Sequence, residues 1–272
     1  MTLLNDWNTI GLNHKESVML VSSYQPPKTR PAARKYVIDE NYFSSLDEAR
    51  AYWLGYLSAD GCVSVRTRNG THQFVLSASS KDVEHLEKFR TALKSTYPIH
   101  GPYKGVYQFI ATSYRLCLDL EEYGITPQKS LTLEPPDCID TNNELFWEWL
   151  RGVIDGDGSF NRYWRPSRAI KNNGRGRPAT AGRYVLSLGI TGSYAMAENL
   201  FGTFGGSLQD RGGGTFRWSI NDKRAESILR DAYAGSRPEL RLDRKYELAR
   251  VLGIVMEDKH AARTLEPPVA RS

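Results

Sequence analysis

Two aspartates, Asp60 and Asp157, are the residues whose type and placement best suit chemistry. Each stands next to last in one of two similar segments, WLGYLSADG at residues 53–61 and LRGVIDGDG at residues 150–158. Carboxylates held side by side prefer a hard cation, Mg²⁺ above all. Such sites activate water and stabilise the leaving oxygen in phosphodiester cleavage. The pair therefore predicts a metal-dependent hydrolase, provided that the fold brings the two segments together.

These acids allow two other interpretations. The run from Asp155 through Asp157 to Ser159 resembles the start of an EF-hand loop. Phe160 stands where that loop needs Gly and Pro166 where it needs Glu, so calcium-loop binding is rejected. The structural alternative is that Asp60 and Asp157 are helix-ending acids hydrogen-bonded to local backbone.

The two segments are predicted to end helices of about four turns. A capping box precedes each helix, and a glycine follows each aspartate. The predicted boxes are Ser45-x-x-Glu48 and Thr141-x-x-Glu144.

These two helices, the motif helices, are predicted to pack against each other. Small residues four positions apart let two helix backbones approach closely along a line of contact, here called the seam. The seam would place Asp60 and Asp157 side by side. No role in metal binding is assigned to the neighbouring Ala59. The small pairs are Gly55 with Ala59 and Gly152 with Gly156.

Each segment opens one copy of a repeated unit. In the first copy the helix is followed by a hairpin turned at Asn69-Gly70, a helix, a second hairpin and a helix that stops at Gly124. The second copy has the same order, with glycines 212–214 turning its second hairpin and Gly235 ending its last helix. The predicted fold is α+β, with two pseudo-symmetric αββαββα units packed through their motif helices.

The two copies differ in length. Asp60 and Asp157 are 97 positions apart, whereas Gly124 and Gly235 are 111 apart. We interpret residues 161–182 as an enlarged, arginine-rich loop of the first hairpin in the second unit. The predicted boundaries are 1–36 for a basic N-terminal arm, with disorder as one alternative, 37–139 for the first unit, 140–256 for the second and 257–272 for a C-terminal tail.

Composition and charge narrow the class of protein. Hydrophobic residues make up 40% of the chain and charged residues 25%, as in an ordinary folded protein. The net charge of +5 is concentrated, with +3 in residues 1–36 and +7 in residues 161–183. Such clustering suits a polyanionic partner, and a solvated loop and tail are the alternative. With no secretory signal, no Cys-x-x-Cys spacing and no membrane-spanning run, we expect a soluble intracellular protein without a membrane partner.

The chain resembles a single-chain LAGLIDADG homing endonuclease. Residues 150–158 match the family's Leu-Ala-Gly-Leu-Ile-Asp-Ala-Asp-Gly pattern well. Residues 53–61 match it less well, because Ser58 replaces the first acid while Asp60 is kept. The resemblance covers about residues 36–256. It implies two sheets that form a DNA-binding saddle, and metal binding by Asp60 and Asp157 with Mg²⁺, for which Mn²⁺ substitutes.

The resemblance also implies one lysine in each active site. The family's segment of Pro, a basic residue, Lys and Ser corresponds to residues 127–130, PQKS, and its late counterpart to residues 243–246, DRKY. The catalytic candidates are thus Lys129 and Lys245, whose cations would neutralise charge developing on the scissile phosphate. The alternative for each lysine is an ordinary exposed side chain.

DNA contacts are expected from the strands of both sheets and from their loops. Arg and Gln side chains can read purine edges in the major groove. A slip of one residue in strand register moves a side chain to the other face, where it is merely solvated. The candidates are Arg66, Arg68, Gln73, Arg162, Arg165, Arg168, Arg175, Arg183, Arg211 and Arg217.

The sequence thus predicts a monomeric DNA endonuclease, a metal-dependent phosphodiester hydrolase that makes a double-strand break in a long, asymmetric target site. The chain lacks the terminal nucleophile and His-Asn pair of an embedded intein, so a free-standing or intron-encoded enzyme is expected. The alternative is a LAGLIDADG-derived RNA maturase or a non-cleaving DNA-binding regulator. Retention of both metal-binding acids favours the nuclease, and an RNP-like aromatic motif for generic RNA binding is missing.

Overall fold

The computed structural model describes residues 35–66, 70–127, 129–139, 141, 144–166 and 182–255. From Tyr36 on, the described chain lies in one compact unit. Within it the predicted order of helices and strands occurs twice, and each copy builds one four-stranded antiparallel sheet. The predicted α+β class is therefore confirmed.

The first copy contains three helices and a sheet of order β1-β2-β4-β3. Its elements are α1 (Glu48–Asp60), β1 (Gly61–Arg66), β2 (Thr71–Ser79), α2 (Val83–Ala92), β3 (Ile99–Tyr103), β4 (Val106–Thr112) and α3 (Tyr114–Glu122).

The second copy repeats this arrangement with a sheet of order β5-β6-β8-β7 and adds a last helix, α7, that the sequence did not predict. Its elements are α4 (Leu145–Asp157), β5 (Gly158–Pro166), β6 (Gly182–Gly192), α5 (Tyr194–Phe204), β7 (Ser207–Gly212), β8 (Thr215–Asn221), α6 (Asp222–Tyr233) and α7 (Asp243–Val251).

The predicted helix starts were wrong. The N-cap of α1 is Asp47, whose side chain accepts from Arg50 N at 2.9 Å, and Ser45 lies two residues farther out. A capping oxygen reaches only the amides two or three residues ahead of it, so the nearer acid caps the helix. The N-cap of α4 is Glu144, without a side-chain capping bond, and Thr141 is too far upstream to cap it.

The arginine-rich loop is shorter than predicted. Strand β5 continues to Pro166 and pairs with β6 from Gly182 onward, so part of the 161–182 interval is strand. The extension is stabilised by an aromatic cross-strand pair, Trp164 against Tyr184, with ring centroids 5.2 Å apart. Residues 167–181 lie outside the described chain.

Each sheet has one face packed on helices and one open face. In β2 the buried side chains of Phe74 and Leu76 alternate with the less buried Gln73 and Ser77. In β8 the fully buried Trp218 alternates in the same way with more exposed polar neighbours. This period of two is the pattern of a half-buried strand, and it leaves a polar open face on each sheet.

The seam is a contact of backbone against backbone, as predicted. A Cβ added to Gly55 would overlap the carbonyl oxygen of Trp149, and one added to Gly152 would overlap that of Tyr52. Gly156 faces Ala59 at similarly close range. Only glycine leaves enough room for the two helices at these points.

Gly152→Ala should destabilise the protein by about 1–3 kcal/mol or more, because backbone on the facing helix cannot move aside. Gly202→Ala in α5 is the matched control, since an added Cβ there meets nothing within 4 Å. That change should stabilise by about 0.4–1 kcal/mol through the unfolded state. Free energies of unfolding from denaturant titration measure both. Equal effects of the two changes would show that the seam is not tightly packed.

Candidate active site

Asp60 and Asp157 occupy the last positions of α1 and α4, where the two motif helices leave the seam. A Cβ added to Gly156 would lie 3.6 Å from Asp60 Oδ2, so the first acid borders the end of the second helix. Both aspartates are exposed. The structure thus brings two solvent-accessible carboxylates to one end of the seam.

The surroundings of both acids disfavour negative charge. Desolvation by the surrounding protein raises the pKa of Asp157 to about 6, and the neighbouring charge of Asp60 adds to the rise. Desolvation also raises the pKa of Asp60, although Lys245 and Lys129 oppose it. Two carboxylates that repel each other in this way gain from a shared or adjacent cation.

Lys129 and Lys245 are both buried, with exposed fractions of 5% and 6%, so the alternative of ordinary exposed side chains is wrong. Each ammonium group caps the C-terminal end of the motif helix in its own half, where carbonyl oxygens lack helical partners. Lys129 Nζ donates to the carbonyl oxygens of Ser58 and Ala59 at 2.6 and 3.1 Å, and Lys245 Nζ to those of Ile154, Gly156 and Gly158 at 2.6, 3.1 and 2.7 Å.

The charges of the two lysines and the two acids are coupled. Burial lowers the pKa of Lys245 to about 8, against the attraction of Asp155 and both site acids. Burial also lowers the pKa of Lys129, opposed first by Asp157. Each lysine therefore lies within electrostatic reach of Asp60 and Asp157, and the four groups form one charge cluster.

The segment that carries each lysine is anchored by the opposite half. Ser193 Oγ, at the N-cap of α5, donates to Leu133 O, which follows the turn of Lys129. In the other direction, Lys88 Nζ of α2 donates to Pro238 O at 2.8 Å and to Arg241 O at 3.1 Å, just before Lys245. The geometry of each site thus depends on both halves.

A buried polar network that the sequence did not predict crosses the seam. The Asp155 carboxylate accepts from Tyr52 Oη at 2.8 Å, Tyr233 Oη at 2.6 Å and Leu242 N at 2.7 Å. Tyr52 Oη also lies 2.8 Å from His85 Nε2. Because the one hydroxyl proton of Tyr52 goes to Asp155, His85 Nε2 is the donor, and burial lowers the pKa of His85 to about 3. The only signal for Asp155 in the sequence is its place in the motif.

Strand alternation sorts the described DNA-contact candidates by face. Gln73, Arg165 and Arg217 fall on the open faces, and Arg217 Nη2 donates to Ser159 Oγ at 2.9 Å, close to Asp157. Arg162 instead shares the helix-packed face with Phe160.

The other candidates have less direct placements. Arg183 forms an ion pair with Asp222 at 2.7 Å, and Arg211 Nη1 donates to Gln209 Oε1 at 3.3 Å. Arg66 is the last residue of β1. Arg68, Arg168 and Arg175 lie outside the described residues.

The donor set of the site fits Mg²⁺. Within the described part of the chain, no group of three or more His, Cys, Asp or Glu side chains could hold a metal ion. Asp60 and Asp157 supply two exposed carboxylates, and Mg²⁺ is commonly bound by one or two carboxylates together with water and substrate phosphates. A softer ion would need nitrogen or sulfur ligands instead.

A family model and solved structures of known proteins are similar to this chain. Residues 47–104 match the family model of the LAGLIDADG-like domain. The I-LtrWI LAGLIDADG homing endonuclease bound to target DNA is 15% identical, with a TM-score of 0.52 over 83% of this chain and 92% of that one. The I-SmaMI LAGLIDADG homing endonuclease bound to cleaved DNA is 16% identical, with a TM-score of 0.50 over 81% and 96%. No curated protein matches the sequence.

The described chain therefore has the fold of the LAGLIDADG homing endonucleases, and residues 47–104 are similar to the LAGLIDADG-like domain. This confirms the resemblance drawn from the two motifs. The family model matches part of the half whose motif departs more from the family pattern. Among the described helices, none has the length and apolar character needed to span a membrane.

Asp157→Asn should raise the melting temperature of the metal-free protein at pH 8. The raised pKa of Asp157, about 6, means that the folded state disfavours its ionised form, so ionisation above that pH costs stability that an amide does not lose. The difference in melting temperature between the variant and the wild type should shrink as the pH falls from 8 to 5, because the wild-type carboxyl becomes protonated. Calorimetry in EDTA measures this difference in melting temperature. A constant gap across this pH range would contradict the expectation.

Proposed function

We propose that the protein is a monomeric, site-specific endonuclease that hydrolyses both strands of double-stranded DNA with a divalent metal ion, Mg²⁺ or in its place Mn²⁺. The observation that carries the proposal is the charge cluster at the end of the seam. Two exposed carboxylates lie there, each at the end of its own motif helix, and a buried lysine lies beside each helix end.

The chemistry follows from the donor atoms. Asp60 and Asp157 would hold the metal, which when bound supplies Lewis acidity toward phosphate and a nucleophilic water. Lys129 and Lys245 fix the carbonyl ends of the motif helices and place positive charge beside both acids. Their charge would also offset negative charge developing on the scissile phosphate.

The open faces of the two sheets supply a binding surface for a long duplex. Gln73 lies on one open face, and Arg165 and Arg217 lie on the other. Because the two sheets carry different side chains, the two half-sites of the target need not be alike. An asymmetric target follows from a single chain with two unequal halves.

Asp60→Asn and Asp157→Asn should each abolish the double-strand break while specific binding stays nearly intact, because an amide is a weaker ligand for a hard cation. The substrate is a supercoiled plasmid that carries the gene's own insertion point with the insert removed. Linear product in Mg²⁺ reports cleavage, and mobility shift of the labelled duplex reports binding.

Four outcomes would count against the proposed roles. Variants that linearise the plasmid at the wild-type rate would show that the acids are not metal ligands. Binding lost together with cleavage would indicate a folding role. A wild-type protein that binds DNA without cutting it would instead identify a regulator, and one that binds only intron RNA a maturase.

Arg165→Ser should flatten the dependence of log affinity on log salt by about 0.9, the contribution of one phosphate contact. Arg162→Ser is the matched control from the same strand. It should leave the slope unchanged, because Arg162 borders Asp222 and Glu226 on the helix-packed side. Binding isotherms at several salt concentrations decide the matter. Equal slopes for the two variants would mean that the open face of this hairpin is not the DNA-contacting face.

A further inference from the structure

We propose that Asp155 is a positioning residue of the second active site, which holds the helix carrying Lys245 in place. The inference rests on the proposed nuclease function and adds a residue that touches neither metal nor DNA. It also makes the two active sites unequal, because the first half has a serine, Ser58, in place of this carboxylate.

The link from Asp155 to Lys245 is short. Asp155 is 1% exposed, and its Oδ2 accepts the backbone N–H of Leu242 at 2.7 Å. Leu242 is the N-cap residue of α7, and Lys245 stands in the first turn of that helix. Leu242 O in turn accepts from Lys245 N at 2.9 Å. A displacement of Leu242 therefore moves the backbone that carries the lysine.

The same carboxylate spans the seam. Its other donors are the hydroxyl groups of Tyr52, from the motif helix of the first half, and Tyr233, from α6 of its own half. Three donors on one buried carboxylate fix its orientation. Asp155 thus ties α7 to the contact between the two halves.

Further contacts restrain the turn before α7. Arg151 Nε, from α4, donates to Leu240 O at 2.8 Å. Arg244 forms a two-pronged ion pair with Asp82 of the first half, at 3.0 Å for each bond. With both flanks held in this way, the loss of the central Asp155 bond should shift Lys245 locally and leave the fold of the half intact.

The equivalent position in the first half is Ser58. Its hydroxyl donates to Leu54 O at 2.9 Å, one turn back in its own helix. That bond satisfies the serine within α1 and does not anchor the turn that carries Lys129. The two lysines therefore have different supports, although their contacts with the helix ends are alike.

The test is Asp155→Ser, which places the first half's residue in the second motif. Plasmid cleavage is followed with each strand labelled separately, and Lys245→Met serves as the reference for the strand that depends on the second site. Asp155→Ser should slow that strand by about 10–100-fold, as loss of a supporting contact commonly does. The other strand should be cut at the wild-type rate, so nicked plasmid accumulates.

Amide hydrogen exchange of the peptide covering residues 238–246 gives a second readout that needs no cleavage. It should speed up in Asp155→Ser, while the peptide covering residues 125–133 around Lys129 should not change. If the wild-type protein cuts neither strand, the proposed function fails, and the exchange measurement still tests the positioning role.

Tyr233→Phe keeps the question decidable if Asp155→Ser does not fold. It removes one of the three donors and should slow the same strand by a smaller factor. Tyr194→Phe is its matched control, because Tyr194 donates to Glu198 at 2.7 Å on the surface and away from the seam. A folded Asp155→Ser or Tyr233→Phe protein that slows both strands equally or neither, or shows unchanged exchange at residues 238–246, would overturn the assignment.

Discussion

Close backbone contact between α1 and α4 is the constraint on which the rest of the molecule depends. Gly55 and Gly152 each face a backbone carbonyl of the partner helix at a distance that excludes any side chain. Helices that approach this closely end close together as well, so whatever follows them in sequence converges. The acids, the first strands of both sheets and the buried lysines are placed by this one contact.

Convergence has an electrostatic consequence. Two helix C-termini, each with a partial negative charge, meet two carboxylates at one point, an arrangement that is unfavourable without compensation. Lys129 and Lys245 provide part of the compensating positive charge by donating to the carbonyl oxygens at the helix ends. Desolvation raises the pKa of both Asp60 and Asp157, and the two lysines offset only part of that rise. A divalent cation held by the two acids, as proposed, would offset the rest.

Local sequence signals predict most of the fold. Glycines 212–214 mark a tight turn, and the small residues of the two motifs indicate the seam. Asn69, which with Gly70 predicts another turn, lies outside the described residues. Long-range partners could not be predicted in the same way. A lysine such as Lys245 appears solvent-exposed in sequence, because the carbonyl groups that bury it carry no sequence signal. The network around Asp155 likewise joins Tyr52 to Tyr233, which only the tertiary fold brings together.

The errors of prediction concern the bounds of helices and strands. The N-cap of the first motif helix is Asp47, two positions closer to the helix than the predicted serine. Residues 161–166 of the predicted loop are strand, where Trp164 pairs with Tyr184. The placement of Arg162 on the helix-packed side depends on a single residue of register. Sequence alternation alone cannot determine the face on which Arg162 lies, because both faces of this strand end are exposed.

The anchoring of each lysine segment by the opposite half bears on how such a chain can change. Ser193 reaches into the first copy, and Lys88 and Asp82 reach into the second. A half recombined with a foreign partner would keep its sheet, its motif helix and its acid, yet lose the groups that hold its lysine segment. The two halves are therefore expected to change as a matched pair, and the open faces of the sheets are less constrained than the residues that bind the halves to each other.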